Sequence, residues 1–365
     1  MYLLDNIKKK VFVFGALLIF FRVFIWSTLI LNFVLTLTSF VLAGHVFNLL
    51  WNFMPKNFVR NIEGKAVFIT GCDTGFGHMF AKKLDALGVL VFAGCLFSEG
   101  EGAKELQRSC SDKLKIIQLD VTQDDQVENA VRTVTSILEG RREELWAVVN
   151  NAGIGNVGEI EWTPIDVYQK TFDVNVLGQV RITKVFLPLL RKSKGRIVSL
   201  TSVLGRASFP FSSAYCMSKH AAVSFSDSLR QEVMKWSISV HTVEPWGYRT
   251  DLLDGAVIES NIKGNWGKTP NSVREEYGVG YLDKVKRTVS LLLLTSRPKS
   301  AMNEVIDCLV DATIGREPKV RYIPGIVGLI CTIIACIIPT ELLNFIIYII
   351  SPTVSRSKPE SQKSK

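Results

Sequence analysis

The sequence contains only four histidines and seven cysteines, an odd number, and it has no Cys-x-x-Cys pair. A disulfide framework is therefore not expected. No histidine and cysteine spacing suits zinc either, so no metal site is expected. The net charge is +9, yet the longest basic run is Lys8-Lys9-Lys10, and cations are nowhere densely interleaved with aromatics. That excludes nucleic acid as an expected partner. The excess charge reads instead as loops beside a membrane anchor and a solvated basic tail. The central region also lacks repeats and low-complexity blocks, which sets aside a repeat architecture.

Long apolar runs are present, and they lie at the two ends. Residues Val11 to Met54 are almost wholly apolar, interrupted by Arg22, Asn32, His45, Asn48 and Asn52. A bilayer core needs ~20 apolar residues as a helix, and Val23 to Leu50 meets that alone. The whole stretch also allows a hairpin turning near Asn32, which would put Arg22 mid-span at some cost. Its length exceeds the ~7–15 apolar residues of a cleaved signal peptide, so it reads as an anchor. Gly325 to Ile350 is apolar again, broken by Pro339, Thr340 and Glu341, and each half is shorter than a span. A partly inserted, membrane-associated segment is expected there, with a buried helix pair as the alternative. Cys331 and Cys336 in this run, like Cys72 and Cys95 at expected strand ends, read as buried small hydrophobes of a reducing compartment.

Between the ends the texture alternates. Apolar strands are expected at Ala66–Thr70, Val89–Gly94, Lys115–Leu119, Trp146–Asn150, Arg196–Leu200 and Ser239–Glu244, with Lys319–Ile323 as a final edge strand. Helical patterns separate them, notably Asp124–Leu138, Pro164–Leu190 and Ser213–Lys235. Continuous apolar strands alternating with helices imply an α/β fold, a Rossmann-type doubly wound parallel sheet in a single catalytic domain. The expected boundaries are an anchor with linker at 1–60, the catalytic domain at 61–324, the apolar segment at 325–351 and a disordered tail at 352–365. Asp251 to Tyr281, rich in Gly, Asn, Trp and charge, falls where a flexible substrate lid is expected.

Two motifs carry chemistry. Thr70 to Gly77 reads Thr-Gly-Cys-Asp-Thr-Gly-Phe-Gly directly after the first strand. Gly71, Gly75 and Gly77 let backbone amides approach a pyrophosphate at a helix N-terminus. No acid or cation closes the second strand, where Gly94-Cys-Leu-Phe97 stands, and Asp73 would repel a 2′-phosphate. NAD is therefore preferred to NADP. Asp120 and Asn150-Asn151-Ala152-Gly153 close the third and fourth strands, where polar side chains can meet adenine; Asp120 also suits a cap with Thr122. The second motif is Tyr215 and Lys219, four residues apart, with Ser202 thirteen residues before the tyrosine. A phenol near pKa ~10 is a poor base at neutral pH unless a cation one helical turn away assists it. Ser202 can hydrogen-bond the substrate oxygen.

With these motifs and Asn175, the stretch Glu63 to Pro324 resembles the short-chain dehydrogenases/reductases. The resemblance implies Tyr215 as acid/base, Lys219 also on the nicotinamide ribose, Ser202 and Tyr215 on substrate, and Asn175 shaping a proton relay. It extends the cofactor residues to Phe76, Val121, Pro245, Gly247 and Thr250. Trp246 stands where the family has a glycine, which puts the cofactor geometry of this loop in question. Phe-Ala-Gly-Cys-Leu (92–96), Thr-Ser-Val-Leu-Gly-Arg (201–206), Glu-Glu-Tyr-Gly (275–278) and Arg-Tyr-x-Pro-Gly (321–325) resemble one subgroup. That subgroup holds retinol dehydrogenases, 17β-hydroxysteroid dehydrogenases types 2 and 6, and 3-hydroxybutyrate dehydrogenase.

The expected function is membrane-anchored, NAD-linked oxidation of a steroid or retinoid alcohol, at the endoplasmic reticulum or, failing that, a mitochondrial membrane. A homo-oligomer is expected from the resemblance. A 3-hydroxybutyrate dehydrogenase is the alternative, with Arg249 or Lys268 holding the carboxylate. A non-catalytic NAD-binding scaffold is the second alternative, resting on Trp246.

Overall fold

The computed structural model describes residues 2–51 and 57–350, and the chain divides into two compact units between residues 56 and 57. The first unit is one helix, α1 (Tyr2–Trp51). It runs through Asn32 without a turn, so the hairpin is not formed. A single asparagine lacks the Gly or Pro that breaks a helix, and Thr28 and Thr36 return their hydroxyls to backbone carbonyls one turn back. Within α1, Phe12–Gly44 is long and apolar enough to cross a membrane.

The second unit is the α/β domain. In chain order it comprises β1 (Lys65–Thr70), α2 (Gly75–Ala86), β2 (Leu90–Cys95), α3 (Glu101–Ser109), β3 (Leu114–Gln118), α4 (Asp124–Leu138) and β4 (Glu144–Asn150). Then follow α5 (Ile165–Phe172), a π-helical turn (Asp173–Leu177), α6 (Gly178–Ser193), β5 (Arg196–Leu200), α7 (Ser213–Val233) and β6 (Ser239–Val243). The last part holds α8 (Gly255–Lys268), α9 (Asn271–Tyr277), α10 (Tyr281–Leu293), α11 (Asn303–Ile314), β7 (Arg321–Tyr322), α12 (Ile326–Ile337) and α13 (Thr340–Ile350).

All seven strands are parallel, in the order β3-β2-β1-β4-β5-β6-β7. Side chains alternate across a strand, and β1 shows the consequence. Val67 and Ile69 join a core with Phe80, Leu84 and Leu309, while Ala66 and Phe68 join another with Val127, Ile182 and Phe186. Both faces are covered, as a parallel sheet requires. Strand order reverses between β1 and β4, so their carboxyl ends open a crevice.

Three regions depart from expectation. Pro164–Leu190 is not one α-helix, because a π-helical turn interrupts it at Asp173–Leu177. The lid is largely helical, formed by α8, α9 and α10 packed through a separate cluster that includes Trp162, Ile258, Ile262 and Val285. At the C-terminal end Pro339 separates α12 from α13, and Cys336 there is exposed rather than buried. The expected disordered tail, 352–365, lies outside the described residues.

Candidate active site

The crevice begins at the end of β1. The Thr70 hydroxyl accepts the amides of Asn151 and Ala152 at 3.0 and 2.9 Å, tying β1 to β4. Asn151 Nδ2 returns bonds to the carbonyls of Thr70 and Gly71, each 2.8 Å. Gly71 has φ +70°, a left-handed conformation that side chains avoid. A Cβ on Gly77 would lie 2.3 Å from the Gly71 oxygen. The loop therefore folds tightly against the first turn of α2, leaving amides and helix terminus to face the crevice.

Asp73 turns to β2. Its carboxylate accepts the amides of Leu96 at 2.8 Å and Phe97 at 2.9 Å. This supplies an acid at the end of β2, where the local sequence has none. Asp120 folds into a turn with Thr122, accepting its amide at 2.9 Å and its hydroxyl at 2.8 Å, and it still lines the crevice.

The second motif closes the far wall. Tyr215 and Lys219 lie on α7, one turn apart, with the Lys219 Nζ 5.5 Å from the Tyr215 ring centroid. Lys219 Nζ donates to the Leu200 carbonyl at 3.1 Å. Ser202 caps the turn after β5, accepting the Leu204 amide at 3.1 Å. Burial pushes the Tyr215 phenol up to about 12, and the Ser202 hydroxyl hydrogen-bonded to it draws it partly back. Burial also lowers Lys219 to about 8. Both shifts disfavour the charged form of a desolvated group.

Asn175 sits in the π-helical turn, fully buried. Its Nδ2 donates to the Ile154 carbonyl and to Ser218 Oγ, both at 2.9 Å, and its Oδ1 accepts the Ile154 amide at 2.8 Å. A Cβ on Gly153 would lie 3.3 Å from Asn175 Oδ1 and 3.6 Å from Lys219 Nζ, so Asn175 and the Tyr215–Lys219 motif meet there.

A cavity of about 1120 Å³ joins these parts. Its wall includes Gly71, Asp73, Gly75, Phe76, Asp120 and Val121 on one side. Asn151, Ala152, Gly153, Ser202, Tyr215, Lys219, Pro245, Gly247 and Thr250 continue it. Thr70, Gly77, Asn150 and Asn175 stand behind that wall. Asn150 is buried against α6, its Nδ2 3.3 Å from Thr183 Oγ1. Trp246 lines the cavity, edge-to-face with Phe209 at 6.0 Å, and Gly328 of α12 approaches its Cβ. Gly247 has no left-handed φ; its carbonyl accepts the Arg297 amide at 2.8 Å.

The family model for short chain dehydrogenases matches residues 65–259. The chain belongs to the short chain dehydrogenases. It is 38% identical over 323 residues to estradiol 17-beta-dehydrogenase 2 of Mus musculus, covering 87% of this chain and 83% of that one. It is 40% identical over 266 residues to the mitochondrial D-beta-hydroxybutyrate dehydrogenase of Rattus norvegicus, covering 72% and 77%. Retinol dehydrogenase 16 of Rattus norvegicus is 36% identical over 316 residues, covering 86% and 96%. A short-chain dehydrogenase/reductase of Burkholderia phymatum, solved in complex with NAD, shares the fold at TM-score 0.60 and 21% identity, covering 76% of this chain and 94% of that one. As a short chain dehydrogenase it is an oxidoreductase that moves a hydride between an alcohol carbon and a nicotinamide dinucleotide. The tight loop at Gly71 and Gly77, opening on the cavity, fits the pyrophosphate of such a nucleotide.

Sequence reasoning missed three parts of this dehydrogenase. Tyr248, buried, donates to Glu304 at 2.8 Å and packs its ring on Phe76, joining the cofactor side to α11. Glu244, fully buried, accepts a hydrogen bond from Arg206 Nε at 3.2 Å and forms an ion pair with Arg321, whose Nε lies 2.9 Å away, which anchors the loop carrying Pro245 and Trp246. A carboxylate closing a buried strand was a signal that cations must gather around it. Asn156 and Asn261 also line the cavity. No local pattern marked them.

Proposed function

We propose that the chain is a membrane-anchored dehydrogenase that oxidises hydrophobic alcohols, steroid or retinoid in kind, with NAD as hydride acceptor. The observation that carries this reading is the cavity wall. Beyond the cofactor loops it includes the apolar Val157, Leu204, Phe209, Phe211, Trp246 and Ile258, with fewer polar side chains such as Asn156, Ser212 and Asn261 among them. Burying apolar ligand surface there is favourable by about 25 cal/mol per Å². A small carboxylate would need a cation instead. Arg249 is exposed and off the wall, and Lys268 pairs with Asp166 at 3.3 Å. The lysines on the wall are Lys219, bonded to Leu200, and Lys170, exposed at the rim. A 3-hydroxybutyrate dehydrogenase is the second reading, favoured by the identity to that enzyme.

In this reading Tyr215 Oη takes the carbinol proton. Its oxygen, held near 12 by burial, becomes a usable base only beside positive charge. Lys219, at about 8, stays largely protonated at neutral pH and supplies part of that charge. A nicotinamide dinucleotide in the cavity supplies the hydride acceptor and a second positive charge. Ser202 holds Tyr215 by a hydrogen bond and offers its hydroxyl to the substrate oxygen. Asn175 acts through others: by holding Ile154 and Ser218 it positions Tyr215 and Lys219 and keeps the path by which the proton leaves. Asp73 supports NAD over NADP, because its carboxylate, held at the end of β2 by the Leu96 and Phe97 amides, would repel a 2′-phosphate.

The anchor is Phe12–Gly44, about 50 Å long as a helix against a hydrocarbon core of ~30 Å. Twenty residues from Val23 onward fill that core and leave Arg22 at its edge rather than mid-span. On α12 the exposed side chains Ile326, Ile330, Ile334 and Ile337 recur at helical spacing, and this stripe is proposed to rest on the bilayer surface. The endoplasmic reticulum is the proposed compartment.

The test is NADH formation in membranes expressing the full chain, with estradiol, retinol, androstanediol and 3-hydroxybutyrate as alternatives, beside Tyr215→Phe. Tyr215-dependent turnover of a hydrophobic alcohol is expected. Turnover of 3-hydroxybutyrate alone would replace this reading by the second one.

A further inference from the structure

Outside the cofactor loops three side-chain amides stand among the apolar residues of the wall, Asn156, Gln169 and Asn261; Gln169 is exposed, and the other two are half-buried. Asn156 lies two residues beyond Ile154, whose backbone is clamped by Asn175. It is therefore within about 7 Å of chain from Ile154. Asn261 lies on α8, one turn before Asn265, so the two share a helix face. Asn265 is buried and donates its Nδ2 to Asn156 Oδ1 at 3.0 Å. That bond joins α8 to the loop after β4, and it brings Asn261 beside Asn156. It uses one lone pair of the Asn156 oxygen and leaves the amide hydrogens of that side chain, which lines the cavity, available to a ligand. Asn261 is half-buried and has no hydrogen-bonding partner among the described residues. An amide in such a place is costly against a purely hydrocarbon ligand, because it gives up water and gains nothing.

We propose that Asn156 and Asn261 form a second polar subsite that reads a hydroxyl or carbonyl oxygen on the substrate, away from the carbinol that Tyr215 oxidises. The inference rests on the cavity being a site for hydrophobic alcohols, and it narrows their class. The favoured substrate is a rigid apolar diol or hydroxyketone, as in a steroid, over an alcohol whose remainder is hydrocarbon, as in retinol. Sites built to bond an oxygen discriminate strongly against analogues that lack it, whereas apolar walls scarcely reject an added one.

The experiment compares estradiol with its 3-deoxy analogue on the full chain in membranes or detergent. Two readouts are taken: kcat/KM for NADH formation, and Kd for the NADH complex by quenching of tryptophan fluorescence, since Trp246 lines the cavity. Wild type is expected to favour estradiol about 10- to 100-fold in both, through KM rather than kcat. Asn261→Leu is expected to shrink that ratio to about threefold or less. Asn261→Ser, which keeps a polar group on a smaller side chain, is expected to fall between the two. Equal affinity for the two ligands in wild type overturns the subsite. An unchanged ratio in both variants does so as well. The binding arm separates this result from failure of the proposed reaction: absent turnover with a persisting ratio of Kd values supports the subsite and sinks the oxidation of these alcohols.

Discussion

The two halves of the cavity are built by different means. The cofactor half consists of strand ends stitched by backbone bonds, with Thr70 and Asn151 crossing between β1 and β4. The proposed substrate half combines the segments that follow β4, β5 and β6 with the helices outside the sheet, held by aromatic packing. Trp162 meets Trp266 edge-to-face at 5.8 Å, Tyr281 donates to Glu159 at 2.7 Å, and Tyr277 donates to Glu161 at 2.6 Å. The first half has almost no freedom to vary. The second can change every side chain that faces the ligand while keeping its helices, and this is where one family separates its substrates.

If that division holds, substitutions on the line between the halves should strike chemistry without either binding step. Tyr215→Phe is expected to lower kcat by about 10³-fold or more, while NAD affinity by calorimetry changes less than about threefold. A matching loss of NAD affinity would blur the division at its centre.

A substitution inside the cofactor half should behave oppositely. In Gly77→Ala the new Cβ meets the Gly71 oxygen, so the loop must open. NAD affinity is expected to fall about 100-fold, and thermal stability to drop by about 1–3 kcal/mol. Retained affinity would mean that the loop is less rigid than its bonds imply.

The pH dependence sharpens the link between the halves. Oxidation needs the Tyr215 phenolate, and burial favours the phenol, so kcat/KM is expected to rise with pH. Lys219→Met removes a positive neighbour and therefore raises the tyrosine pKa further. The rising limb, followed between about pH 6 and pH 10, should move to higher pH by at least about one unit. A limb that stays in place would assign the assistance to another group.

Trp246→Gly tests the departure from the family's glycine. The indole packs edge-to-face on Phe209, and the Trp246 Cβ lies beside Gly328 of α12. The KM for a hydrophobic alcohol is expected to rise about tenfold with NAD affinity nearly constant. Better NAD binding would instead place Trp246 in the cofactor half. The smallest effect is expected for Tyr277→Phe, which loses one exposed hydrogen bond of the lid. It should cost about 0.5–1 kcal/mol and change KM less than about threefold, measured by melting and steady-state rates.

Legibility followed the same division. The strands β1 to β6 and the glycine loop could be read because buried parallel strands are continuous apolar runs and tight turns demand glycine. The Tyr215–Lys219 pair could be read because helical periodicity fixes which residues share a face. Asp73 was recognised as a charge hostile to a 2′-phosphate. Its bonds to Leu96 and Phe97, which supply the acid missing from β2, span more than twenty residues and left no local trace. The helices of the lid left little trace in the sequence, because its Gly and Asn content masks helices stabilised by tertiary packing rather than by propensity.

By itself the sequence determined the parallel α/β domain, the glycine loop, the Tyr215–Lys219 pair on one helix face and the apolar ends. Each depends on residues near in the chain or on a strict period. Only the tertiary structure decided that Glu244 gathers Arg206 and Arg321 beneath the Trp246 loop, and that Asn156 meets Asn265. Those outcomes depend on which surfaces remain to be filled once the sheet is covered, and no local pattern encodes that remainder.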